Sequence, residues 1–182
     1  MSYDPALLVS DPVAGRSCGT CTLCCKVFDV PSLDKPAGQW CKHCAPGRGC
    51  GIHETRPQHC RSFHCMWMTT DFLGPEWKPE KSKFVLTVDP ASKNLLVQVD
   101  PGQPGAWKAT PYYAQFKRWA EAAVPEHRHV IVFNGKAATV VLPDKDVALG
   151  VLGPDDRITF QRRDTMHGVL IDVRKVKATA VS

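Results

Sequence analysis

Nine cysteines decide how this sequence is read. All lie between Cys18 and Cys65, and the 117 residues that follow have none. The first group reads Cys18-Gly19-Thr20-Cys21-Thr22-Leu23-Cys24-Cys25. Two residues between cysteines let one tight turn aim both sulfurs at a single ion. The turn's N–H groups can also hydrogen-bond the thiolates and lower their pKa. The second group reads Cys41-Lys42-His43-Cys44, another knuckle, and the Pro46-Gly47-Arg48-Gly49 turn then returns the chain to Cys50. The third runs from Cys50 through Cys60 to Cys65 and carries His53, His59 and His64. Nine sulfurs and four imidazoles exceed the needs of one four-ligand site. The count fits two mononuclear sites, or one cluster plus one mononuclear site. Zinc or iron, the latter also as an iron–sulfur cluster, is the expected cofactor.

The three sulfurs Cys18, Cys21 and Cys24 resemble the Cys-x2-Cys-x2-Cys run of bacterial ferredoxins. The likeness stops at Cys25, which adjoins Cys24 where the ferredoxin run continues to a Cys-Pro. Side chains of neighbouring cysteines diverge, so Cys24 and Cys25 are expected to have different roles. The first run, taken with Cys50-Gly-Ile-His-Glu-Thr-Arg-Pro-Gln-His-Cys60-Arg, resembles the YkgJ-type "CxxCxxCC" family of zinc- or iron-chelating proteins. His53 stands where that motif commonly has Tyr, and the other fixed positions match. The resemblance covers about residues 17–68. It implies that Cys18, Cys21, Cys24, Cys25, Cys50 and Cys60 are the shared ligand set. Flagellin lysine methylases carry a similar cysteine region that holds an iron–sulfur cluster, but they are longer, so their activity is not carried over. Joining the first knuckle to the later motif gives an expected first centre of Cys18, Cys21, Cys50 and Cys60, with Cys24 or Cys25. Cys41, Cys44 and Cys65 are left for a second site or as free thiols.

The residues around the sulfurs have plainer expected roles. His53 is expected to pack, and His43 to face solvent. Arg56 and Arg61 either neutralise thiolates or pin the Cys60 segment. Trp40 and Trp67 are expected to cover the site from water.

Composition narrows the setting. The chain is 43% hydrophobic and 23% charged, which is globular rather than disordered. It has no apolar run of the roughly 18 residues that span a bilayer. The opening MSYDPALLVSDP lacks a basic stretch followed by an apolar core, so it does not read as a secretory leader. The expected location is the cytoplasm, where thiols stay reduced and clustered cysteines hold metal. The net charge of +5 arises after residue 77, from dispersed residues and the short runs Arg162-Arg163 and Arg174-Lys175-Val176-Lys177. A nucleic-acid footprint is a concentrated basic face, so nucleic acid is not an expected partner. A metal ion is one, and a protein partner is left open.

Two regions must position these residues. Residues 1–77 read as an irregular cysteine-rich module with one helix, from about Pro57 to Asp71, placing Cys60 and His64 on one face. Residues 78–182 read as a small α+β domain, a mostly antiparallel sheet with one helix. Phe84–Val88 and Leu95–Val99 form one hairpin. Thr110-Pro111 opens a helix whose apolar stripe is Tyr112, Phe116, Trp119 and Ala123, and Pro125 stops it. His129–Phe133 and Ala137–Leu142, joined at Asn134-Gly135, form a second hairpin. Arg157–Gln161 and Gly168–Val173 are two further strands.

Three uses of such a chain are in view: a metal-binding protein, an iron–sulfur-dependent enzyme of methyl or electron transfer, and a thiol-redox sensor. No glycine motif for a nucleotide or S-adenosylmethionine is present. The C-terminal domain has no cysteine, and its His127 and His129 adjoin a strand entry without a nearby acid–base partner, so it reads as recognition or scaffolding, with His127, His129 and His167 as the positions to test.

Overall fold

The computed structural model describes residues 11–166 and 168–178. His167 and most of the opening segment lie outside the described residues. The fold is α+β. Its centre is a five-stranded sheet of β3 (Phe84–Val88), β4 (Leu95–Val99), β5 (Val130–Asn134), β6 (Ala137–Val141) and β7 (Asp146–Val151), in that spatial order. Every pairing is antiparallel except β4 with β5. That parallel pair requires a crossover, and the helix α5 (Tyr112–Ala123) lies within it.

Strand alternation explains the layers. Phe84 and Leu86, Leu95, Val97 and Val99, and Val130 and Val132 bury one face of the sheet against Tyr112, Phe116, Trp119 and Ala120 of α5. Trp77 fills the middle, its ring 4.9 Å from Tyr112 and 5.1 Å from Trp119. The helix begins at Tyr112, not at Thr110. Pro111 takes the cap position without a side-chain bond, and the Tyr112 N–H donates to Ala109 instead.

The other face is shared. A long ribbon, β8 (Asp156–Thr165) with β9 (Gly168–Lys177), packs Ile158, Phe160, Ile171 and Val173 over Ile131, Ala138, Val140 and Leu142. Over β3, Val85 meets Leu23, Val27, Cys65 and Met68 of the cysteine region. Met66, Leu73 and Trp77 belong to the main core. The chain between Met66 and Trp77 is therefore built into the sheet's core, and the cysteine loops hang from it.

Several expected elements are redrawn. The strand β7 was not expected, because Gly150, at φ 67°, breaks its pattern beside a register shift at Ala138/Thr139. The turn between β5 and β6 is Gly135-Lys136, one residue later than expected. Gly135 has φ 58° at the first central position, as a II′ turn needs. The ribbon strands run well beyond the expected 157–161 and 168–173.

The expected helix from Pro57 to Asp71 is two short ones, α2 (Gln58–Ser62) and α3 (Met66–Thr69). Between them Phe63 and Cys65 are extended, at ψ 120° and 156°. The break lets Phe63 meet Phe28 at 5.0 Å and turns Cys65 into the apolar cluster on Val85. The Arg16 guanidinium takes over the carbonyls that a continuing helix would have bonded. It donates to Trp67 and Thr70, and to Leu73 at 2.7 Å. Cys60 and His64 consequently do not share a helix face.

Candidate metal centre

Short hydrogen-bonded turns set each sulfur. The Cys21 N–H closes the first knuckle on the Cys18 carbonyl at 2.8 Å, and the Cys44 N–H closes the second on Cys41 at 2.9 Å. Cys24 and Cys25 open the one-turn helix α1 (Cys24–Val27), where successive side chains point about 100° apart. The Cys41 N–H donates to the Cys25 carbonyl at 3.0 Å, tying the second knuckle to that helix. The strands β1 (Cys44–Ala45) and β2 (Gly49–Cys50) pair Cys44 directly with Cys50. The Pro46–Gly49 turn thus links two strands and opens no helix, so it is not a phosphate loop. Cys60 stands in the first turn of α2.

The thiols act on one another in two neighbourhoods. The first holds Cys24, Cys25, Cys41, Cys44, Cys50 and Cys60. Cys25 is pushed far up in pKa by its hydrogen bond with Cys24 and then by burial, while a hydrogen bond with Cys44 opposes this. Cys44 is raised to about 11 by burial and by Cys25. Cys60 is raised by burial, then by Cys25, Cys41 and Cys50, with Arg56 acting the other way. The second neighbourhood holds Cys18, Cys21 and Cys65. Burial raises Cys65 to about 11 against the N–H groups of Met68 and Trp67, and Cys18 and Cys21 raise it further. Cys18 is raised by burial, Arg56 opposes the rise, Cys25 of the first neighbourhood adds to it, and Lys78 opposes it.

This grouping differs from the one expected. Cys18 and Cys21 act on Cys65, Cys50 and Cys60 stand with Cys25 and Cys41, and Cys25 also reaches Cys18, so Cys18 lies between the two groups. The break at Phe63 is the reason, since it folds Cys65 back toward the first knuckle.

Two residues near the sulfurs escaped the sequence reading. Lys35 is 5% exposed, and its ammonium donates to the carbonyls of Phe28 and, at 2.8 Å, Lys26. Burial lowers its pKa, while Cys25 and Cys41 pull it up, so a buried cation sits beside the first group. A lone Lys ahead of Pro36-Ala37-Gly38 carries no signal of this. The other is Met68, whose thioether receives the Cys18 thiol at 3.4 Å.

The accessory residues sort clearly. Arg56 donates to the carbonyls of His53 and Cys60, and Arg61 donates to the Arg56 carbonyl. Both therefore pin the Cys60 segment, and Arg56 also eases ionisation of Cys18 and Cys60. His53 is exposed and pairs with Glu54 at 3.2 Å rather than packing. Trp67 lies under Arg16 and Lys78. Trp40 does not cover the site. It is 41% exposed and stands against the Lys26 ammonium instead.

All nine cysteines are free thiols. Eight of them, all but Cys44, line one cavity of about 710 Å³ between the cysteine loops and the sheet. Phe28, Leu33, Phe63, Val85 and Leu96 supply its apolar wall. Among the described residues, no three His, Cys, Asp or Glu side chains are closed on one point as a ready ligand set. The donors fit a thiophilic metal in kind, and the turns that carry them are in place. No described helix is long and apolar enough to cross a membrane. No protein-family model matches the chain, and neither a curated protein nor a solved structure is significantly similar to it.

Proposed function

We propose that residues 18–65 are a metal-binding module of a cytoplasmic protein, taking zinc or iron, the iron as an ion or in an iron–sulfur cluster. The observation that carries this reading is the convergence of eight free thiols on one cavity. Thiolate is the ligand such metals prefer, and a bound cation removes the cost of placing many acidic groups together. The resemblance of the two cysteine runs to the YkgJ-type family points the same way. Zinc would make the loops a rigid platform, whereas an iron–sulfur cluster would give the protein an electron carrier. The test is metal analysis of protein purified without oxygen. Absorbance near about 400 nm accompanies an iron–sulfur cluster and is missing with zinc. Protein that contains neither metal, and takes up neither when reduced, overturns the proposal.

A second reading, an iron–sulfur-dependent enzyme, has one observation in its favour. The cavity falls within the range of roughly 300–1,000 Å³ typical of small-molecule sites, and part of its wall is apolar. A thiol-redox sensor is less well supported. Sensors rely on thiols of lowered pKa, and burial raises Cys18, Cys21, Cys60 and Cys65 here.

A further inference from the structure

The first knuckle has a counterpart that the family-like motif does not contain. The Cys21 N–H closes on the Cys18 carbonyl at 2.8 Å, and the Met68 N–H closes on the Cys65 carbonyl, also at 2.8 Å. Each turn spans four residues with sulfur at both ends: Cys18-x2-Cys21 and Cys65-x2-Met68. The two turns face each other, with the Cys18 sulfur 3.4 Å from the Met68 sulfur. Cys18 and Cys21 also lie near enough to Cys65 to act on it electrostatically. All four side chains line the large cavity. Cys65 and Met68 are at most 9% exposed and rest on Val85, which anchors their side of the site to the sheet, while Cys18 faces them from the exposed side.

A thioether beside thiolates is informative about the metal. Zinc is held by thiolate, imidazole and carboxylate, and a methionine sulfur adds little to it. Soft thiolate and thioether donors together select Cu(I). We propose that Cys18, Cys21, Cys65 and Met68 form a separate all-sulfur site for Cu(I), distinct from the cysteines gathered around Lys35. The contact already closed is Cys18 with Met68; ion binding would draw Cys21 and Cys65 in about their fixed turns. This inference rests on reading the cysteine region as a metal module, and it assigns part of that region its own metal.

The test is anaerobic titration of the reduced full chain with Cu(I), in competition with a chromophoric Cu(I) chelator such as bathocuproine disulfonate. Met68→Leu should weaken the tightest Cu(I) site at least ten-fold and leave zinc affinity within about two-fold. Met66→Leu, another buried methionine about half a turn away, should change neither. Selenomethionine-labelled protein should show a copper neighbour at the selenium absorption edge with Cu(I) bound, and Met68→Leu should abolish it. Equal Cu(I) affinity in the wild type and Met68→Leu overturns the inference, and so does a selenium edge without copper. A fall in zinc affinity as large as the fall in Cu(I) affinity also overturns it, since that marks a packing effect. In all three cases the broader metal reading stands if the protein holds zinc or iron. A reduced chain that takes up none of the three metals ends both.

Discussion

The cysteine loops and the five-stranded sheet solve the same problem with different means. The sheet and its helix bury Phe84, Phe116, Val85, Val97, Val99, Val130, Val140 and Val141 almost completely. Ordering a residue costs roughly 1–2 kcal/mol, and burial on that scale offsets it. Between Cys18 and Cys60 the buried apolar side chains are Leu23, Val27, Val30 and Cys41. Turns, two-residue strands and one-turn helices fill the rest of that span. Such a stretch is short of apolar surface by its own composition and needs another source of order. A structural metal contributes on the order of ten kcal/mol, while residues from Cys65 onward borrow order from the sheet.

The comparison is broken most strongly by taking metal away. With zinc or iron bound as proposed, strong chelation under reducing conditions should loosen residues 18–60 and leave the sheet folded. Trypsin should then cut rapidly between Lys26 and Arg61, while circular dichroism keeps its strand signal. Unchanged cleavage after the metal has been removed would sink the idea that metal supplies the missing order.

The opposite manipulation is Phe116→Ala. Phe116 is fully buried, with Trp77 5.8 Å and Phe84 5.5 Å away. Its loss should cost about 3–5 kcal/mol of sheet stability in urea unfolding. A cost below about 1 kcal/mol would mean that the aromatic cluster is not what holds α5 to the sheet.

What the sequence discloses follows the same divide. The α5 stripe of Tyr112, Phe116, Trp119 and Ala123 is legible because burial imposes a 3.6-residue period, and all four are buried. The pairing of Phe84–Val88 with Leu95–Val99 is legible from branched and apolar runs between turn residues. In the cysteine region, spacing discloses the knuckles, because a turn closed over two residues is a local event. It does not disclose which knuckle faces which. That depends on the break at Phe63, where a stretch free of helix breakers is interrupted by long-range packing on Phe28 and by Arg16 capping from 51 residues away. Lys35 and Met68 were silent for the same reason, since only the tertiary fold brings them to the sulfurs.

Protonation tests the junction between sheet and ribbon. The His129 ring stacks on Phe160 with centroids 3.6 Å apart, and its Nδ1 is buried without a hydrogen-bond partner. Burial, and then the charge of His127, lowers its pKa from 6.5 to about 4. The unfolded chain binds this proton first, so stability should fall as the pH drops from about 6.5 toward 4 and level off below. The loss should be at most about 3 kcal/mol, at about 1.4 kcal/mol per pH unit. His129→Phe should flatten that part of the profile. An identical pH dependence in wild type and variant would remove His129 as its source.

The smallest expected effect bears most directly on how the two regions are joined. Lys26 of α1 meets Asp100, just past β4, at 2.5 Å, with the side chains 18% and 12% exposed. Asp100 also accepts the Gly102 N–H at 2.8 Å through the same oxygen, which fixes the carboxylate before the lysine arrives. Asp100→Asn keeps an acceptor for Gly102 and removes only the charge. A largely buried, charge-assisted hydrogen bond contributes about 1.5–3 kcal/mol, and the partial exposure and the retained acceptor bring the expectation down to about 1 kcal/mol. A double-mutant cycle with Lys26→Met should return a coupling of that size. If the pair docks the cysteine loops onto the sheet, the loss should appear as faster proteolysis within residues 18–60. The urea midpoint of the sheet should hardly move. A coupling near zero, or a loss felt equally in both regions, would mean that the packing of Leu23, Val27 and Met68 on Val85 makes the joint without help from the ion pair.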